Sequence, residues 1–114
     1  MERFVKGDVV VLPFPFSDLS STKRRPALVL IPLQGKDVIV CPITSQRRNN
    51  NWNLDLEETD FESGSLKRAS SLRLSHLFTT DISSIVYRVG NLSKFKLNEV
   101  FEALAKLFQD EVMQ

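Results

Sequence analysis

The apolar positions of this chain fall into two periods. Val9, Val10, Val11 and Leu12 form a β-prone run after Gly7-Asp8, and Phe14 and Phe16 carry a two-residue beat across Pro13 and Pro15. Neither proline can donate to a ladder, so this end of the strand is expected at an edge or rim. A polar loop follows over residues 17–23. Residues 26–33 and 38–43 are two further apolar runs, joined by Gln34-Gly35-Lys36-Asp37, a hairpin composition. Trp52, Leu54 and Leu56 alternate with Asn53, Asp55 and Glu57, which predicts a half-buried strand with Trp52 as its core anchor. Residues 59–67, with Gly64 between serines, read as a turn. Residues 69–74 and 85–89 predict two more strands, the second ended by Gly90-Asn91.

The tail changes period. Leu97, Val100, Phe101, Leu104, Leu107, Phe108 and Val112 recur at spacings of three and four, one apolar stripe along a helix. Asn98, Glu99, Glu102, Lys106, Gln109, Asp110 and Glu111 fill the opposite face. Five or six short strands and one closing helix predict a mostly β fold, a small bent sheet or barrel whose open end the helix covers. No repeat or linker divides residues 1–114, so a single domain is expected.

Composition restricts the setting. Hydrophobic residues make up 42% of the chain and include eight Phe, enough for one core. No apolar run approaches the roughly 18 residues of a membrane span. Met1-Glu2-Arg3-Phe4 does not open a signal peptide, so a cytoplasmic protein that meets no membrane is expected. Cys41 is the only cysteine and excludes an internal disulfide; inside Val38-Ile39-Val40-Cys41 it reads as a small buried hydrophobe, not a nucleophile. One His and one Cys exclude the usual zinc sites, and no metal or other cofactor is expected.

The net charge of +1 is uninformative, but its distribution is not. Positive charge gathers at Lys23-Arg24-Arg25, Arg47-Arg48, Lys67-Arg68 and Arg73, and acidic charge at residues 55–62 and in the last helix. A nearly neutral chain can still present one basic face.

Several residues could carry chemistry. Arg25 precedes Pro26, which holds it extended at the start of a strand. A guanidinium at a rim can grip two phosphate oxygens and stabilise charge as phosphorus becomes five-coordinate; a solubilising arginine is the plain alternative. Thr44, Ser45 and Gln46 offer hydroxyl and amide donors where a strand leaves the core, or a turn bonded to its own backbone. Arg73, between Leu72 and Leu74, shares a face with Ser71 and Ser75. His76 is the only histidine, so two-histidine ribonuclease chemistry within one chain is excluded. It is either an acid–base group or an ordinary, partly buried side chain. Trp52 beside Arg47-Arg48 could stack on a base if it is not a core anchor.

The stretches Gly7-Asp8-Val9-Val10-Val11-Leu12-Pro13-Phe14-Pro15-Phe16, Lys23-Arg24-Arg25-Pro26-Ala27-Leu28-Val29-Leu30 and Pro42-Ile43-Thr44-Ser45-Gln46 resemble the PemK/MazF family of bacterial toxins. Gly90-Asn91-Leu92-Ser93 and the closing helix agree in kind and position. The resemblance implies an SH3-like barrel and a homodimer. It also implies an endoribonuclease that cuts single-stranded RNA at short sequences without a metal and is neutralised by a cognate antitoxin. In that chemistry the 2′-hydroxyl attacks the phosphate, leaving a 2′,3′-cyclic phosphate and a 5′-hydroxyl. By the same resemblance Arg25 stabilises the transition state, Thr44 orients the phosphate, and Arg73 falls where some members carry a second catalytic arginine. Those members have an acid two residues further on, where this chain has Ser75, so the base would be His76 or an assisted water. Lys23, Arg24, Ser45, Gln46, Arg47, Arg48 and Trp52 are the expected RNA contacts. Two other readings stand beside this one: a gyrase-inhibiting toxin on the same kind of barrel, and an SH3-like binding module without activity.

Overall fold

The solid apolar runs of the first half are solid because both faces of their strands are buried. In a computed structural model, β1 (Asp8–Pro13), β2 (Arg24–Pro32) and β3 (Asp37–Thr44) lie side by side at the centre of one antiparallel sheet. Val9, Leu28, Leu30, Cys41 and Ile43 point into one core, while Val10, Leu12, Ala27, Val29, Val38 and Val40 point into a second on the opposite face. The two-residue period persists inside each run; it is hidden because both phases are apolar. The structure describes residues 3–14, 23–46, 50 and 52–113, with the side chains of residues 110–113 outside that description.

Five further strands extend the sheet: β4 (Asn53–Leu56), β5 (Phe61–Gly64), β6 (Ser70–Arg73), β7 (Phe78–Asp81) and β8 (Tyr87–Leu92). The order across the sheet is β4-β6-β3-β2-β1-β8-β5, and β7 pairs with the first half of β3. The sheet curls into a half-barrel, and its first core is covered by the helix α1 (Lys94–Met113). The expectation of a mostly β fold closed by a C-terminal helix holds, with eight strands among the described residues where five or six were expected.

Ser93 starts the helix: its hydroxyl accepts the Lys96 N–H at 3.1 Å, the usual role of an N-cap serine. Val100 and Leu104 are buried against the sheet, each contributing roughly 1.5–3 kcal/mol. Phe108, expected on the apolar stripe, is 60% exposed; the buried line runs instead through Lys96, Val100 and Leu104. Lys96 can be buried because its ammonium sits 3.5 Å from Asp60 and 3.1 Å from Glu99.

The Gly7-Asp8 opening is structural. Gly7 has φ +94°, and buried Asp8 accepts the Val5 N–H at 2.9 Å and pairs with Arg88 at 3.2 Å.

Three expectations need correction. Residues 59–67 are not all turn: the end of a 3-10 turn (Glu58–Asp60) leads into β5, which pairs with β8. β8 itself does not end at Gly90-Asn91 but runs through them to Leu92. Both departures share one cause. A side chain on Gly64 would strike the Val89 carbonyl, and one on Gly90 would strike that of Ser63, so the glycines allow a close crossing that no local pattern announces. Trp52 lies just before β4 and is 53% exposed, so it is not a core anchor.

Candidate active site

Pro42 sits where the sheet divides. β7 follows β3 as far as Val40↔Phe78, and β6 takes over only at Ile43↔Leu72, so Cys41 and Pro42 have no ladder partner on that side. Proline has no N–H to offer a ladder. Between the two partner strands the chain turns over residues 74–77, and this turn borders the site.

Three neighbouring strands carry the central residues. Arg25 is the second residue of β2 and Thr44 the last of β3. Ala27 faces Pro42 in the β2–β3 ladder, and extending that register by two residues sets Arg25 beside Thr44. On the other side Thr44 faces Ser71, two residues before Arg73. The prolines serve this arrangement: Pro26 keeps the backbone extended at Arg25.

Two clefts share these residues. The larger, about 620 Å³, is lined by Arg25, Thr44, Ser45, Gln46 and Arg73 and by Leu66, Lys67, Arg68 and Ser70. The smaller, about 380 Å³, is lined by Phe14, Arg25, Pro42, Ile43, Thr44, Arg73 and His76. Arg25, Ile43, Thr44 and Arg73 border both. Among the described residues no carboxylate lines either cleft, whereas Arg25, Lys67, Arg68 and Arg73 bring four cations to the larger one. That field suits a polyanion.

Thr44 is oriented by the turn expected of it. Its hydroxyl oxygen accepts the Gln46 N–H at 3.1 Å, which leaves the hydroxyl hydrogen to be donated. The turn does not compete with an anion, since it uses the oxygen as acceptor and leaves the hydrogen to donate.

Arg73 ends β6, and the tight turn after it, not strand alternation, sets the exposed Ser75 and His76. Ser71, expected on the same face as Arg73, is fully buried. The Arg73 Nη2 atom is 3.1 Å from His76 Nε2, and Ser75 Oγ is 2.9 Å from His76 Nδ1. Cys41 lies beneath this turn, its thiol donating to the Arg73 carbonyl at 3.4 Å. Burial pushes the Cys41 thiol up to about 12, so it is no nucleophile.

Of the remaining expected RNA contacts, Lys23 and Arg24 are exposed but line neither cleft. Trp52 lies outside the clefts too, although its carbonyl accepts the Leu74 N–H at 2.8 Å and so braces the turn that carries His76. Arg47 and Arg48 lie outside the described residues. The residues missed by sequence reasoning are Phe14, Leu66 and Ser70, and Lys67 and Arg68 as lining of the cleft. Lys67-Arg68 is visible as a basic pair, but only the path through β5 and β6 brings it to the cleft that Arg25 lines. Among the described residues no group of three or more His, Cys, Asp or Glu is placed to hold a metal ion, and no helix is long and apolar enough to cross a membrane.

Residues 5–108 match the sequence model of the PemK-like, MazF-like toxins of type II toxin–antitoxin systems. No curated protein sequence matches the chain. Among solved structures, the fold is similar to an endoribonuclease from mycobacterial species in complex with its cognate antitoxin, 14% identical, covering 94% of this chain and 96% of that one with a TM-score of 0.75. It is similar to the Mycobacterium tuberculosis toxin MazF-mt6, 19% identical over 90% and 96% of the two chains, TM-score 0.71. A chain of the MazE–MazF complex from Deinococcus radiodurans is 26% identical over 91% of this chain and 94% of that one, TM-score 0.69.

Proposed function

We propose that this chain, which belongs to the PemK-like, MazF-like toxin family of type II toxin–antitoxin systems, is an endoribonuclease that cuts single-stranded RNA at short sequences by attack of a 2′-hydroxyl on the adjacent phosphate. The products are a 2′,3′-cyclic phosphate and a 5′-hydroxyl. The observation that carries this reading is the meeting of Arg25 and Thr44, from adjacent strands, at the border of two clefts that share Arg25 and Arg73 and that, among the described residues, no carboxylate lines.

Arg25 stabilises the charge that builds on the phosphoryl oxygens, for which a fixed fork of donors is suited. Thr44 donates its free hydroxyl hydrogen to the same phosphate and orients it for in-line attack. Arg73 adds a second positive group, and Lys67 and Arg68 hold the backbone elsewhere along the larger cleft, with Ser45 and Gln46 beside Thr44. This division of roles requires no metal. A gyrase inhibitor or a passive binding module has no need for an arginine and a hydroxyl aimed into one cleft, which favours the enzyme reading.

The same reading includes two partners and a compartment. A second copy of the chain forms a homodimer, which by two-fold symmetry joins two basic rims into one longer groove. A cognate antitoxin with an acidic segment occupies that groove and blocks RNA. Both act in the cytoplasm. Sedimentation of the purified protein should give about twice the chain mass; a clean monomer at micromolar concentration would remove the dimer from the proposal.

The decisive test is single-turnover cleavage of a short RNA in the presence of a chelator, with the product ends identified. The parent protein should cut it, and a substrate with a 2′-deoxy sugar at the scissile position should remain intact. Equal cutting of both substrates would defeat the mechanism.

A further inference from the structure

Arg73 and His76 are the first and fourth residues of a tight turn, closed by the His76 N–H donating to the Arg73 carbonyl at 3.1 Å. Leu74, 2% exposed, pins the turn to the core. The closure brings the two side chains together: Arg73 Nη2 stands 3.1 Å from Nε2 of His76, and Ser75 Oγ 2.9 Å from its Nδ1.

Chemistry decides the direction of these bonds. A guanidinium keeps its protons in a protein and has no acceptor. The Arg73 contact therefore requires a lone pair on Nε2, which makes the ring neutral with its proton on Nδ1. That proton faces Ser75, whose hydroxyl oxygen accepts it. A ring protonated on both nitrogens would set donor against donor.

We propose that His76 is a positioning residue: its Nε2 lone pair holds Arg73 at the border of both clefts, Ser75 selects the tautomer, and His76 is not the base that takes the 2′-hydroxyl proton. The proposal rests on the endoribonuclease reading. The lone pair a base would use is already engaged by Arg73. Holding an arginine in advance removes the ordering cost that RNA binding would otherwise meet, since a long, rotamer-rich side chain loses freedom when a ligand fixes it. The sequence departure at Ser75 then has a use: an uncharged hydroxyl can accept from Nδ1–H without adding negative charge to a cleft that binds a polyanion.

Because His76 is the only histidine, nitrogen NMR of the neutral ring reads its tautomer without RNA and without activity. The parent should carry the proton on Nδ1, the reverse of the preference of a free histidine side chain, and Arg73→Ala should return it toward Nε2. In single-turnover cleavage His76→Ala should be slower by about fivefold to tenfold, and His76→Gln, whose amide oxygen can also accept from Arg73, should recover most of the rate. An Nε2–H tautomer in the parent overturns the proposal. So does a His76→Gln protein as slow as His76→Ala when the parent cuts well. If the parent cuts no RNA, the enzyme reading fails and takes the role in cleavage with it, while the tautomer still reports the Arg73 contact.

Discussion

The thiol of Cys41 and the carbonyl of Arg73 meet at 3.4 Å, joining the buried middle of β3 to the turn that borders both clefts. The same carbonyl accepts the His76 N–H, so the first residue of the turn is held from the core side and from within. A residue that sequence alone treats as filler is thus a support of the site.

The thiol's environment yields a chemical prediction. Its ordinary value is 9.0, and burial raises it to about 12 in the folded protein. Above 9.0 the unfolded chain loses this proton while the folded chain keeps it, so the unfolded state binds fewer protons and stability falls as pH rises. The contribution is whole below 9.0 and is lost on the way to 12. Urea midpoints measured on either side of 9.0 should show that decline in the parent and a flatter profile in Cys41→Ala. Iodoacetamide should label Cys41 only after unfolding.

Removing Arg25 should slow cleavage with the fold intact, because the residue is exposed at the start of β2. Arg25→Ala should lose about 3 kcal/mol of transition-state stabilisation, roughly a hundredfold in rate. Arg25→Lys should recover little, since a point charge does not reproduce the fork. Single-turnover rates and thermal melts of the three proteins check this, and an Arg25→Ala rate equal to the parent's would take Arg25 out of the chemistry.

Thr44 separates orientation from fold. Thr44→Ser keeps the hydroxyl and should stay near the parent rate. Thr44→Val removes both the bond from the Gln46 N–H and the free donor, and should slow cleavage by about tenfold or more. Equal rates for Ser and Val would assign the threonine to the turn alone.

Lys67 and Arg68 should act on binding. If both neutralise phosphates of a single strand, the double alanine variant should lessen the slope of log affinity against log salt by about 1.4. An unchanged slope would put Lys67 and Arg68 outside the RNA path.

Gly90→Ala tests the crossing of β5 and β8. The new methyl would meet the Ser63 backbone, which cannot swing aside as a side chain can. A destabilisation of about 1–3 kcal/mol is expected, read from denaturant midpoints. A neutral outcome would mean that β5 shifts freely.

The same crossing shows why part of the fold was hidden in the sequence. β1, β2 and β3 were visible because each supplies apolar residues to both cores, and the helix because Val100 and Leu104 keep its period. β5 and β7 were not, since Phe61-Glu62-Ser63-Gly64 and Phe78-Thr79-Thr80-Asp81 owe their extension to the strands they join. Phe108 fits the helical spacing but lies beyond the edge of the core it was expected to cover. At the site, Arg25 and Thr44 announced themselves by a following proline and a strand's end. Lys67 and Arg68 could not, because their place depends on how the intervening strands pass across the sheet.

The double-faced sheet also carries a consequence for biosynthesis. The helix over the first core follows the described strands in the order of translation, so a ribosome releases the cleft residues before it releases the cover of that core. A nascent chain ending before residue 94 leaves Val9, Leu28, Leu30 and Ile43 facing water on one side of the sheet. Such a chain is prone to aggregate rather than to act, which makes Val100 and Leu104, which line neither cleft, gatekeepers of when the cleft becomes usable.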